Sequence, residues 1–175
     1  MSRKFCIPLR MNLRKATSED IEEVMRIFAQ ARQAQRAAGF RQWEDGYPSA
    51  DILTSDIGNS RGYVLYDDVQ AAGYVAIATS DEEYDRHPDL WDVARKYAVF
   101  HRIALSDDYR GRGVSGELFD LAESYAMRLG ADCVRIDTGL ENKPMQHILA
   151  KRRYINLGRC NFVWGPRLAY EKPLR

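Results

Sequence analysis

Three glycines and two arginines, in the run Arg110-Gly111-Arg112-Gly113-Val114-Ser115-Gly116, stand between an apolar stretch at 97–105 and a helical pattern at 117–129. No other feature constrains the fold as much. It requires a strand that stops, a turn whose backbone enters conformations closed to most side chains, and a helix that starts at once. The first N–H groups of such a helix have no partner inside it, and the dipole makes them attractive to an anion. A phosphate pocket is the simplest use of this arrangement. The arginines add charge that does not titrate near neutral pH.

Gly111, Gly113 and Gly116 also spell G-x-G-x-x-G, the dinucleotide fingerprint, and a single match of this kind is weak evidence. In a dinucleotide fold the first glycine sits on the end of the strand and further strand–helix units follow. Here Ser106-Asp107-Asp108-Tyr109 intervenes, and only about one more strand–helix unit fits behind the run. The context therefore disfavours an NAD(P)-dependent oxidoreductase, which stays as an alternative.

The rest of the chain reads as one domain over 1–175. A short strand is expected at 12–16, then a helix capped by Thr17-Ser18-Glu19-Asp20 whose apolar face is Ile21, Val24, Met25, Ile27 and Phe28. Gly39 ends it near Ala38. A loop rich in aromatics and turn formers follows at 40–48, then a short helix capped by Ser49. Strands are expected at 62–66 and 69–78 with a tight turn at Asp67-Asp68. An acidic segment at 80–96 reads as an insertion. Strands at 97–105 and 132–138 alternate with helices at 113–129 and 143–153, and 155–160 with 162–172 forms a last antiparallel pair.

Composition narrows the partners. Twenty-six basic against 25 acidic side chains leave a formal net charge of +1. No global field draws the protein to nucleic acid or to a membrane. No apolar run approaches the ~20 residues of a membrane span, and the apolar stretch within the first ten residues is too short for a signal peptide. A cytoplasmic protein is expected. Cys6, Cys133 and Cys160 are far apart, so packed thiols are expected instead of disulfides, and His87 and His147 show no metal spacing.

The chain resembles the GNAT family of acyl-CoA-dependent N-acetyltransferases over about 11–170. The family's core loop reads Gln/Arg-x-x-Gly-x-Gly/Ala, and Arg110-Gly-Arg-Gly113-Val-Ser115 fits it except that Ser115 replaces Gly or Ala. Ile136-Asp137-Thr138-Gly139-Leu140-Glu141-Asn142 looks like the family's fifth strand and the asparagine that opens its last core helix. The resemblance implies an α/β (α+β) domain with a mixed, mostly antiparallel sheet of about six or seven strands flanked by helices. Strands four and five run parallel and splay. It implies acetyl-CoA as co-substrate and no metal. The pantetheine arm would bond main-chain groups around Ile103, Ala104 and Leu105. Pyrophosphate would sit on Arg110, Gly111, Arg112, Gly113, Val114, Ser115 and Gly116. Asn142 would bond the arm, cap its helix, or do both.

The reaction so implied is attack of an amine on a thioester. An alkyl amine of pKa ~10.4 costs about 4.6 kcal/mol to deprotonate at pH 7, so a base is needed. A strand N–H near Ala104 or Leu105 is the expected oxyanion donor. His101, four residues before Leu105, is the leading base candidate, with Glu44 and Asp45 on the aromatic loop as rivals. Many family members carry an acid tyrosine seven residues after the asparagine, where this chain has Leu149. Tyr154 is then a candidate acid or a packing residue, and Tyr47, Tyr84 and Tyr97 are further candidates. Trp43, Tyr47 and Trp91, with Glu44, Asp45, Glu82 and Glu83, suit a cationic acceptor, either a small-molecule or a protein amine. Without the tyrosine, a non-catalytic acyl-CoA sensor is a second alternative. The family often dimerises, so a homodimer is possible.

Overall fold

Asp20, buried at the start of the first long helix, shows how the sequence sets its own boundaries. Its carboxylate accepts two bonds from Arg14 at 2.8 Å and one from the Thr17 N–H at 2.7 Å. The structure is a computed structural model that describes residues 10–44 and 46–175. Strand β1 (Asn12–Lys15) leads through a 3₁₀ turn (Ser18–Asp20) into α1 (Ile21–Ala37), and α2 (Ala50–Gly58) follows with Ser49 accepting from the Ile52 N–H at 3.3 Å. β2 (Gly62–Tyr66), β3 (Ala71–Ala78) and the one-turn helix α3 (Glu82–Asp85) come next. β4 (Tyr97–Leu105), a 3₁₀ turn (Asp107–Tyr109) and α4 (Val114–Arg128) form the central unit. β5 (Cys133–Gly139), α5 (Lys143–Lys151), β6 (Ile155–Phe162) and β7 (Gly165–Pro173) complete the chain.

The seven strands make one sheet in the order β1-β2-β3-β4-β5-β7-β6. All neighbours are antiparallel except β4 and β5. This is the mixed, splayed sheet expected above, and it excludes the doubly wound parallel sheet of a dinucleotide fold. β3 starts at Ala71 and not at Val69, because Asp67 accepts from the N–H groups of Val69 and Gln70 and widens the turn.

Helices cover both faces, so β3 is buried throughout and β2 is buried from Gly62 to Leu65. Alternation sorts their side chains: Tyr63 and Leu65 pack with Leu118, Phe119 and Leu149 of α4 and α5, while Val64 and Tyr74 pack with Val24, Ile27 and Phe28 of α1. A third cluster gathers Tyr84, Trp91, Val99 and Phe162, so the segment 80–96 is packed into the domain.

Two features of β4 shape the site. It pairs with β5 only from Tyr97↔Cys133 to Val99↔Arg135, whereas β5 pairs with β7 as far as Gly139↔Arg167. The two strands then part. On its other side β4 pairs Ala76 with His101 and Tyr74 with Ala104, so Val75 opposes both Arg102 and Ile103. That extra residue is a β-bulge, with Arg102 at φ +53°. A non-glycine residue held there costs on the order of 1–3 kcal/mol and persists only where its surroundings fix it.

The Asp20 network carries a pH prediction. Its hydrogen bonds with Arg14 hold the carboxyl below the usual carboxylate value, ahead of the opposing effect of burial. A depressed folded value stabilises the fold above pH ~4 and is lost as pH falls through that value. Asp20→Asn is expected to flatten the fall in melting temperature below pH 4, and an unchanged acid limb would refute the assignment.

Candidate active site

A cavity of about 350 Å³ opens where β4 and β5 part. Its walls come from Gln35 of α1, the loop residues Gln42, Trp43, Glu44 and Tyr47, and Phe100 to Ile103 of β4. Ile136, Asp137 and Thr138 of β5, Asn142, Met145, Trp164 and Arg167 close the other side.

His101 faces this cavity. One ring nitrogen, Nε2, lies 2.9 Å from Asp81 Oδ2. The other oxygen of Asp81 accepts from the N–H groups of Glu83 and Tyr84 at 3.0 and 3.2 Å, which caps α3. Burial alone would raise the Asp81 carboxyl, but the His101 bond and charge together with those N–H groups hold it below its usual value. An ionised Asp81 holds a ring proton on Nε2, so that the imidazole in its uncharged form presents the lone pair of Nδ1, the arrangement of an oriented base.

Trp43 lies at the inner end of the loop, its ring edge-on to Phe28 at 5.7 Å and its backbone N–H donating to Gln35 Oε1 at 2.9 Å. Gln42 reaches across the gap: its Oε1 accepts from Thr138 Oγ1, the Gly139 N–H and Asn142 Nδ2 at 3.3, 3.0 and 2.9 Å. Asn142 also caps α5 by accepting from the Met145 N–H at 3.2 Å. Glu44 sits at the rim, ion-paired with Arg41 at 3.3 Å. Asp45 lies outside the described residues.

Several expected residues fall elsewhere. Trp91 does not line the cavity, because it is buried behind Tyr84, stacked at 5.1 Å with an interplanar angle of 8°. Tyr84 itself is fully buried and donates to Asp137 Oδ1 at 2.8 Å; burial first, then Asp137, pushes its hydroxyl far above the usual value. Tyr97 packs under Arg135 and donates to Asp85, with burial raising it to about 12. Glu83 is occupied by the Val163 N–H at 2.7 Å. Tyr154 is a packing residue: its buried hydroxyl donates to Glu123 Oε1 at 3.0 Å on the α4 side of the sheet. Leu149, at the position of the missing tyrosine, is fully buried.

The glycine turn behaves as its composition demands. Gly111 and Gly113 adopt φ +70° and +82°, where a side chain is strained even though space is open. The backbone N–H groups of residues 111–115 have no hydrogen-bond partner among the described residues, and Gly113 leads directly into α4. Gly116 is different, since its N–H is taken by the Gly113 carbonyl at 2.9 Å and its own carbonyl by Arg152 at 3.2 Å. The free series therefore stops at Ser115. Arg110 is turned back onto the Leu105 carbonyl at 3.1 Å and onto Asp107, while Arg112 bonds the Asp108 carbonyl at 2.9 Å. Both arginines brace the turn.

Along β4, residues 100–105 have a strand on the β3 side only. The opposite edge carries backbone groups that an extended ligand can pair with. Among the described residues no group of three metal-ligating side chains is present, and no helix is long and apolar enough to cross a membrane.

A single sheet with parting parallel strands, a glycine turn at a helix start and a cavity at the gap define the acetyltransferase class of α/β domain. The chain belongs to the GNAT family of acetyltransferases, whose sequence model matches residues 22–153. It is similar to an uncharacterized N-acetyltransferase, YesJ of Bacillus subtilis, with 27% identity over 128 residues that cover 68% of this chain and 70% of that one. A GNAT-family acetyltransferase from Streptococcus agalactiae shares 34% identity and a TM-score of 0.80, covering 93% and 95% of the two chains. One from Listeria monocytogenes has the same fold, with a TM-score of 0.76 at 19% identity over 94% and 95%.

Proposed function

We propose that this protein transfers the acetyl group of acetyl-CoA to the primary amine of an acceptor held in the cavity. The observation that carries this reading is the continuity of one path. It runs from the free N–H groups at 111–115, along the unpaired edge of β4, to the cavity wall that holds His101.

Acetyl-CoA supplies an activated acyl carbon and a thiolate leaving group; the chain supplies the rest. The N–H groups of residues 111–115 and the positive end of α4 suit the pyrophosphate. Ile103, Ala104 and Leu105 offer backbone bonds to the pantetheine arm, and the remaining Nδ2 hydrogen of Asn142 is available beside it. The ammonium proton leaves to bulk solvent through His101 Nδ1, which gives a path for a deprotonation that costs about 4.6 kcal/mol at pH 7. The neutral amine then attacks, and a β4 N–H near Ala104 or Leu105 meets the charge on the carbonyl oxygen. The C–S bond breaks as the C–N bond forms. The proton shed by the nitrogen passes through His101 or water to the departing sulfur, which replaces the acid that Leu149 cannot provide.

Two measurements test the reading together. Acetyl-CoA at ~100 times its Kd should stabilise the fold by about 2.7 kcal/mol, a rise of roughly 5–10 °C. Gly113→Ala, which forces a side chain into the left-handed region at about 1–2 kcal/mol, should weaken that shift. Thiol release from acetyl-CoA across a panel of amines is the second. Binding with no release above background for any amine would leave an acyl-CoA sensor, the role that Leu149 favours.

A further inference from the structure

Arg102 enters the cavity at a point where a regular strand would turn it away. His101 and Arg102, successive residues of β4, both line the cavity, although successive strand residues face opposite sides. The bulge makes this possible, with Arg102 at φ +53°. A tether between α2 and the sheet would need neither the bulge nor the exposure to the cavity.

The donors of Arg102 are unevenly used. Asp56 takes Nε and Nη2 at 2.8 and 2.7 Å, and the Tyr47 hydroxyl accepts from Nη1 at 3.3 Å. Tyr74 holds Asp56 from behind, donating to its Oδ2 at 2.8 Å. The guanidinium plane is thereby fixed on one edge. A guanidinium carries five N–H bonds, so one on each terminal nitrogen has no partner among the described residues. Two terminal donors side by side match the two oxygens of a carboxylate.

Resting on the acetyl-transfer reading above, we infer that the acceptor carries a carboxylate in the same small molecule as its amine, as an amino acid does, and that Arg102 binds it. The amine end has its own counterparts in Glu44, Asp137 and His101 on the same cavity walls. A site with groups for both charges selects a zwitterion over a plain alkylamine, because the alkylamine leaves the donors of Arg102 unmet. Arg102 is thus a specificity-determining residue, fixed by Asp56 and Tyr74.

The test compares each of a set of amino acids with its carboxamide and its decarboxylated amine. Thiol release from acetyl-CoA is read for each, and so is binding in the presence of CoA. The free acid is expected to show at least tenfold higher kcat/KM than either analogue, mostly through KM. R102Q combined with D56N, which leaves no lone buried carboxylate, should bring that ratio below threefold. R102K keeps the charge without the fork and should lose part of the preference; it also serves if the double variant melts below the assay temperature. Equal use of acid and carboxamide by the wild-type protein overturns the inference, and so does a folded variant that keeps the full preference. No thiol release above background with any amine, despite acetyl-CoA binding, is instead a failure of the acetyl-transfer reading. Binding then decides the inference, and equal affinity for acid and carboxamide overturns it.

Discussion

His101→Ala is expected to lower kcat by about 10²- to 10⁴-fold, the usual contribution of a positioned base, with acetyl-CoA affinity held within a few fold. The loss should shrink at high pH, where more of the amine is already neutral in solution and the base matters less. Asp81→Asn is the sharper variant. An amide at 2.9 Å from Nε2 no longer favours the proton on that nitrogen, so the Nδ1 lone pair is no longer assured. A smaller loss, about 10- to 100-fold, is expected, with the pH profile displaced. Stopped assays of thiol release at pH 6 to 9 on the three proteins decide the matter. Wild-type turnover in His101→Ala would remove the imidazole from the mechanism and turn attention to Glu44 at the rim.

The largest expected effect on stability lies on the other face of the sheet. Glu123 of α4 is buried and accepts from the Tyr154 hydroxyl at 3.0 Å, Arg152 Nε at 3.3 Å and Lys172 Nζ at 2.6 Å. Glu123→Leu leaves two mostly buried cations and a hydroxyl without their shared acceptor. Breaking such a cluster from one side costs about 3 kcal/mol or more. Asp120, which also accepts from Arg152 at 2.5 Å, softens the loss. For a domain of this size the melting temperature should fall by roughly 6–12 °C. Tyr154→Phe removes a single bond to a charged acceptor and should cost about 1.5–3 kcal/mol. It should leave kcat near the wild-type value, since Tyr154 does not reach the cavity. A thermal melt of Glu123→Leu within 2 °C of the wild type would show that the cluster does not tie α4 to the end of α5 and to β7.

What was legible in the sequence is what arises from neighbours in the chain. The helix faces of α1 and α4 follow from a 3.6-residue period, and Ser49, Asn142 and Gly39 mark helix boundaries through local bonds and backbone freedom. The glycine turn at 111–113 needs positive φ whatever surrounds it. Thus the strand–turn–helix unit and the place of His101 on a central strand could be read from the residues, and the mixed sheet followed from the resemblance to the family that the glycine turn carries.

The site's working contacts could not be read in that way. His101 meets Asp81 across 20 residues, Arg102 meets Asp56 across 46 and Tyr84 meets Asp137 across 53. Each depends on strand register, and a slip of one residue reverses every side chain of a strand. The bulge at Arg102 is such a local shift, and no glycine or proline announces it. Trp91 illustrates the opposite error: an aromatic among acidic residues looked like part of a binding mouth, but stacking on Tyr84 buried it. Sequence alone therefore determined the glycine turn and the helix behind it, because those conformations are set within a few residues. Only the tertiary structure decided which side chains face the gap between β4 and β5, because that depends on pairing between distant strands.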